Sequence, residues 1–312
     1  MRDQVAPDLR GFLTERPVAS VPITRETIAE VRAGSNQRIS QRKGFGSTEP
    51  EHIVADTPDG PLEMFVYHSD PGAFDPKPCM VWFHGGGYVM GQAAENWFGP
   101  LFAERAGCTV VSVQYRLAPE HPAPAATNDG FSALSWVYAN AADLAVDPNR
   151  IAVGGASAGG GLAASVAIHS RNVSGPRPSF QLLLYPMLDF QHKTLSGLLQ
   201  GHPVWPREHS LGCWDLYLGP NPDQTIIELV SAIHAPDLSD LPPTYISVGG
   251  VDLFVDECRA FHQRLLDAGG ASMLEVTPGV YHGGESEGYE TQTGRKMVDG
   301  YVDALKSALR PD

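Results

Sequence analysis

The sequence predicts an α/β fold, a mostly parallel central sheet covered by helices on both faces and roofed by a helical cap. Three observations predict it. From residue 79 onward, short continuous apolar runs alternate with helical stretches, the texture of strands buried on both faces of a parallel sheet. Gly154-Gly155-Ala156-Ser157-Ala158-Gly159-Gly160-Gly161 sets a serine between the strand-like Ile151-Ala152-Val153 and the helix-like stretch Leu162 to Ile168. Finally, Asp252 and His282 each closely follow a strand-like run. That places them with Ser157 on the carboxyl rim of the sheet, where ligands of such folds sit.

The elements follow in order. Asp8 to Thr14 and Glu26 to Ala33 are short amphipathic helical candidates, the second preceded by Thr24 as a cap. His52-Ile53-Val54 and Leu62 to Tyr67, separated by the turn Pro58-Asp59-Gly60, read as a hairpin at a sheet edge. Strand Cys79 to Phe83, helix Ala93 to Ala106, strand Thr109 to Val113 and helix Thr127 to Ala142 come next, then Ile151 to Val153 with its helix. Strands Phe180 to Tyr185, Thr244 to Val248 and Ser272 to Val276 complete the sheet, with helices Phe254 to Ala268 and Arg295 to Leu309. The stretch 190–243 interrupts the alternation, is rich in Pro, Gly and His, and carries Trp205 and Trp214. An insertion of that length between core strands reads as a functional cover, the alternative being a peripheral helix pair that only packs its aromatics on the core. The expected organisation is therefore N-terminal cap helices over 1–45 and an α/β domain over 46–312, with 190–243 contributing to cap and pocket.

Composition narrows the function. The chain has 312 residues, 42% hydrophobic and 19% charged, an ordinary globular balance. A net charge of -14 argues against nucleic acid or an anionic membrane surface as partner. Cys79, Cys108, Cys213 and Cys258 are far apart without a C-x-x-C pair, so reduced thiols are expected, not a metal site or a dithiol. The first residues lack the apolar core of a secretory signal, and nowhere do 18 apolar residues run together. The expectation is a soluble cytoplasmic protein without an integral membrane segment.

Residues 155 to 159 read G-x-S-x-G, the spacing of a strand that turns sharply into a helix and holds its serine in a strained backbone. The helix beginning after Ser157 aims free N–H groups and a positive dipole end at the place where an anion would form. His84-Gly85-Gly86-Gly87 follows a strand directly, and its glycines free the backbone to aim N–H groups at a developing oxyanion. Neither G-x-G-x-x-G opening a helix nor G-K-[ST] is present there, which excludes the dinucleotide and P-loop readings. His84 reads as a loop anchor. Asp252 alone would read as a helix cap, and Glu257, one turn along, is the alternative acid. His121, His202, His209 and His262 have no equivalent position on the rim. The order Ser, acid, His is the one the α/β-hydrolase topology produces.

These residues resemble the hormone-sensitive-lipase-like esterases, the bacterial group with the H-G-G-G motif within the α/β-hydrolases. The resemblance is carried by His84 to Gly87, Tyr115-Arg116-Leu117-Ala118-Pro119-Glu120 with Pro122 to Ala125, Ser157 in its glycine turn, Tyr185-Pro186, Asp252-Leu253 and His282-Gly283. It implies a catalytic Ser157–Asp252–His282 triad, oxyanion donors from Gly85, Gly86 and Ala158, a cap built from the N-terminal helices, and no metal or organic cofactor. It further implies a serine carboxylesterase acting on short- to medium-chain carboxylic esters through an acyl-enzyme. Lactone, amide or carbamate hydrolysis and acyl transfer share that intermediate and stay open, and a non-catalytic small-molecule receptor is the alternative of a different class. A homodimer through the last strand and helix is allowed by the resemblance. Arg116 looks structural, tying loops together. Two positions depart from the family pattern: Ala156 stands where Asp is usual, and Gly284 where a bulky aromatic often follows His-Gly.

Overall fold

A computed structural model describes residues 1–14, 21–40, 45–69, 76–94 and 97–310. Among the described residues eight strands form one sheet: β1 (Glu51–Thr57), β2 (Gly60–Tyr67), β3 (Lys77–Phe83), β4 (Thr109–Val113), β5 (Val146–Ala156), β6 (Phe180–Leu184), β7 (Thr244–Gly249) and β8 (Ser272–Thr277). Their spatial order is β1-β2-β4-β3-β5-β6-β7-β8. The expected edge hairpin is β1–β2, antiparallel with Thr57 opposite Gly60, and β2 is also antiparallel to β4. All later neighbours are parallel. The central strands β3, β4 and β6 are almost wholly buried, as their unbroken apolar runs require.

The helices are α1 (Arg10–Thr14), α2 (Ile28–Ser40), α3 (Phe98–Leu101), α4 (Ala125–Ala139), α5 (Ala158–Asn172), α6 (Leu195–Leu198), α7 (Arg207–Leu218), α8 (Gln224–Val230), α9 (Val255–Asp267), α10 (Gly284–Glu287) and α11 (Gln292–Leu309). Helix α11 shows how local chemistry sets an element. Thr291 caps it, its hydroxyl accepting the N–H of Gly294 at 3.0 Å. Met297, Val298, Tyr301, Val302, Leu305 and Leu309 form its buried stripe. Each such side chain contributes about 1.5–3 kcal/mol by leaving water.

One expected element is corrected. The helix read from Ala93 begins only at Phe98, and α3 then runs into a single π-helical turn, Phe102–Ala106. Ala93 instead belongs to a loop tied to the sheet, its N–H donating to Gln114 Oε1 at 2.9 Å and its carbonyl accepting from Ser112 Oγ at 3.1 Å. Long-range side-chain bonds thus replace the helical ones. Residues 95–96 of that stretch, and 15–20 and 41–44 of the N-terminal segment, lie outside the described residues. All four cysteines are free and buried. Among the described residues no helix is long and apolar enough to cross a membrane.

Candidate active site

Ser157 occupies the single residue between β5 and α5, at φ 58° and ψ -121°. A non-glycine residue there carries about 1–3 kcal/mol of backbone strain, which the surroundings must hold. They do so by backbone bonds: the Ser157 N–H donates to Leu184 at 2.9 Å, and its carbonyl accepts from Gly161 and Met187. The two flanking glycines are required by space. A Cβ at Gly155 would lie 2.3 Å from the Gly159 backbone, and one at Gly159 would lie 2.0 Å from the Phe83 carbonyl oxygen.

Asp252 and His282 come from the loops after β7 and β8, and the parallel register of those strands with β6 brings both to the serine. His282 Nε2 stands 2.9 Å from Ser157 Oγ, and His282 Nδ1 stands 2.9 Å from Asp252 Oδ2. All three residues are buried, Asp252 almost completely and His282 with 8% of its surface exposed. Three rings surround the imidazole: Tyr185 edge-on at 4.9 Å, Phe254 edge-on at 5.1 Å and Trp205 nearly parallel at 5.8 Å. Tyr185 is itself held by its hydroxyl, which donates to Glu285 Oε1 at 2.8 Å. Burial pushes the Glu285 carboxyl above its ordinary range.

Gly85 packs on the serine, a Cβ there meeting Ser157 Cβ at 3.4 Å. The next turn is closely wound, with Val89 and Met90 N–H groups both donating to the Gly86 carbonyl. Among the described residues the N–H groups of Gly85, Gly86 and Ala158 have no protein acceptor. His84 anchors this loop as its position suggests. Its Nδ1 bonds the Gly85 carbonyl at 2.8 Å and its ring stacks on Tyr115 at 4.3 Å. The Tyr115 hydroxyl donates to the His84 carbonyl at 2.7 Å. Burial lowers the His84 pKa to about 4, which keeps the ring neutral. Arg116 does tie loops together, through a two-pronged bond to the buried Asp129 and a 3.5 Å contact to Asp59.

The alternative acid, Glu257, does not reach His282. Its carboxylate accepts from the Leu188 N–H at 2.7 Å and meets His192 Nδ1 at 3.2 Å. A helix turn separates Glu257 from Asp252 in sequence, but α9 directs it toward the chain after β6. Both departures from the family pattern are visible. Ala156 faces the cavity beside Ser157. Gly284 is buried, with its N–H donating to the Tyr281 carbonyl at 2.8 Å as α10 begins.

Above the serine opens a cavity of about 840 Å³. Its walls include Val31 and Ser35 from α2, Met90 and Phe98 beside the glycine loop, and Val204 and Trp205 from the insertion. Sequence reasoning did not single out Phe254 or Trp205 as neighbours of His282. Nothing local signals them, because both contacts arise only when the insertion and α9 dock. Among the described residues, no group of three His, Cys, Asp or Glu side chains is arranged to hold a metal ion.

Residues 80–285 match the model of a family described as having the α/β-hydrolase fold. The chain is 35% identical to an AB hydrolase superfamily protein of Schizosaccharomyces pombe, over 99% of this chain and 95% of that one. It is 35% identical to carboxylesterase NlhH of Mycobacterium tuberculosis, over 77% of this chain and 76% of the relative. Among solved structures, a bacterial heroin esterase superposes with a TM-score of 0.91 at 31% identity, covering 99% of both chains. Esterase LipW from Mycobacterium marinum does so with a TM-score of 0.87 at 34% identity, over 99% of this chain and 98% of that one. Matching along this length, with the serine turn, glycine loop and strand order described above, the chain belongs to the α/β-hydrolase family, in its hormone-sensitive-lipase-like esterase branch.

Proposed function

We propose that the protein is a serine carboxylesterase that hydrolyses short- to medium-chain carboxylic esters through an acyl-enzyme. The observation that carries this reading is the unbroken hydrogen-bonded line from Asp252 through His282 to Ser157, with the N–H groups of Gly85, Gly86 and Ala158 bonded to no acceptor among the described residues. In this scheme Ser157 Oγ attacks the ester carbonyl carbon while His282 Nε2 takes its proton. Asp252 fixes the ring tautomer and stabilises the imidazolium. The N–H groups of Gly85, Gly86 and Ala158 receive the oxyanion. The tetrahedral intermediate collapses, the C–O bond to the alcohol breaks, and His282 returns the proton to the leaving oxygen. Water then attacks the acyl-enzyme by the same route, releasing the acid and regenerating Ser157.

The cavity walls support a cap role for the N-terminal helices and the insertion, since α2 and residues 203–205 both line it. Its apolar side chains suit a hydrophobic acyl or alcohol group. Relatives named carboxylesterase or esterase favour ester hydrolysis over acyl transfer or amide, lactone and carbamate cleavage. A bonded His282 disfavours a receptor without catalysis. A cytoplasmic location and a homodimer through β8 and α11 complete the reading.

The test is intact-protein mass spectrometry during turnover of p-nitrophenyl acetate, butyrate and octanoate, with Ser157→Ala alongside. An acyl adduct on Ser157 with product release, both absent from the variant, is expected. Turnover that survives in Ser157→Ala would overturn the assignment.

A further inference from the structure

A second serine, histidine and acid are joined in this protein, entirely out of reach of solvent. Glu257 Oε2 lies 3.2 Å from His192 Nδ1, and His192 Nε2 lies 2.8 Å from Ser210 Oγ. All three residues have no exposed surface. No substrate can enter, so this arrangement is a strut. Its ends decide its meaning.

At one end stands Ser210 on α7. One turn further along α7, Cys213 packs against the glycine loop so closely that a Cβ at Gly87 would lie 2.4 Å from its Sγ. Tyr217 on the same helix stacks on Tyr88 at 4.1 Å, and Trp214 meets Tyr88 at 5.3 Å. Helix α7 is therefore the backing of the loop that carries Gly85 and Gly86. At the other end, Glu257 sits on α9, and the His192 ring stacks on Phe254 at 5.7 Å. Phe254 stands edge-on to His282, and its N–H donates to Asp252 Oδ1 at 3.0 Å. Glu257 also accepts the Leu188 N–H, fixing the chain that leaves β6.

We infer that His192 is a positioning residue: it spans α7 and α9 and so sets the oxyanion loop and the Asp252–His282 pair at one fixed separation. Each partner alone braces one half of the site. The imidazole between them, bonded on both ring nitrogens, joins the two halves directly. This rests on the esterase reading above, because it concerns the alignment of that site.

The alignment matters most when negative charge appears on the carbonyl oxygen, so the strut acts on the transition state more than on bound substrate. A misplacement of about 1 Å costs up to about 10²-fold in rate. Three variants separate the halves. His192→Asn keeps the reach to Glu257 alone, His192→Gln keeps the reach to Ser210 alone, and Ser210→Ala removes one hydrogen bond with little change in volume. Each should lower kcat about tenfold with KM within about twofold, and weaken a trifluoromethyl ketone transition-state analogue by the same factor. Glu257→Gln, which still accepts from Leu188 and can donate to an imidazole of the other tautomer, should recover most of the activity lost in Glu257→Ala.

Ser210→Ala decides the matter if the His192 variants do not fold. Folded variants with wild-type kcat, or a loss confined to KM, would overturn the inference. The wild-type protein is assayed first: no turnover and no Ser157 adduct there would refute the esterase reading itself, whereas an active wild type with unaffected variants refutes only the strut.

Discussion

Asp252 grips His282 and the ring behind it at once: Oδ2 lies 2.9 Å from His282 Nδ1, while Oδ1 accepts the N–H of Phe254, whose ring stands edge-on to the same imidazole. One carboxylate thus holds both the imidazole and the ring that packs against it.

Asp252→Asn follows directly. The amide fits the space but offers N–H where a carboxylate oxygen is needed, favouring the wrong tautomer of His282. Steady-state assay should show kcat lower by about 10³–10⁴-fold with little change in KM. Retention of more than a tenth of the wild-type kcat would show that another group supports His282.

Gly87→Ala tests the packing of the glycine loop against α7. Gly87 has φ +63° and no room for a Cβ beside Cys213. Urea unfolding should show a loss of about 1–3 kcal/mol from backbone strain and overpacking together. Removing the sulfur in Gly87→Ala/Cys213→Ala should recover part of it. Strict additivity of the two substitutions would argue that the contact is immaterial.

Arg32 joins α2 to the core. Its guanidinium donates to the carbonyls of Val89 and Ala118 and makes a two-pronged pair with Glu120, whose pKa it holds down to about 2. The Glu120 pair is largely exposed and contributes little by itself. The carbonyl bonds fix a wall of the cavity. Arg32→Ala should raise KM about fivefold, equivalent to about 1 kcal/mol, with kcat within about twofold. An unchanged KM across the ester series would mean that α2 does not help bind substrate.

His84 makes stability depend on pH. Its pKa is about 4 in the folded protein against an ordinary value of 6.5, so the folded state favours the neutral ring. Its contribution is fully present above pH 6.5 and is lost as pH falls toward 4, because the unfolded chain takes up the proton first. Between pH 6.5 and 5 this amounts to about 2 kcal/mol. Chemical denaturation at the two pH values should show that much steeper a loss in wild type than in His84→Asn. Equal slopes would indicate that His84 is hydrated in the folded protein.

Activity has its own acid limb. In the proposed scheme the base must be neutral to take the Ser157 proton, so kcat/KM should fall as the medium is made acid. A flat profile would contradict the scheme.

What the sequence determined by itself was local. The turn at Ser157, the glycine loop after Phe83 and the alternation of apolar strands with helices each lie within a few residues, where backbone sterics and periodicity act. Given a parallel sheet, the carboxyl-end positions of Asp252 and His282 followed as well. Only the tertiary structure decided which side chains meet across long separations. Ser157 and His282 are 125 residues apart, and Glu257 and His192 are 65 apart. The start of α3 was fixed the same way, by Gln114 and Ser112 taking the backbone groups of Ala93. Glu257 shows the limit most clearly. Its spacing made it an alternative acid for His282, but packing turned it from α9 toward His192 and the chain after β6, because helix direction and docking are set by burial of whole faces.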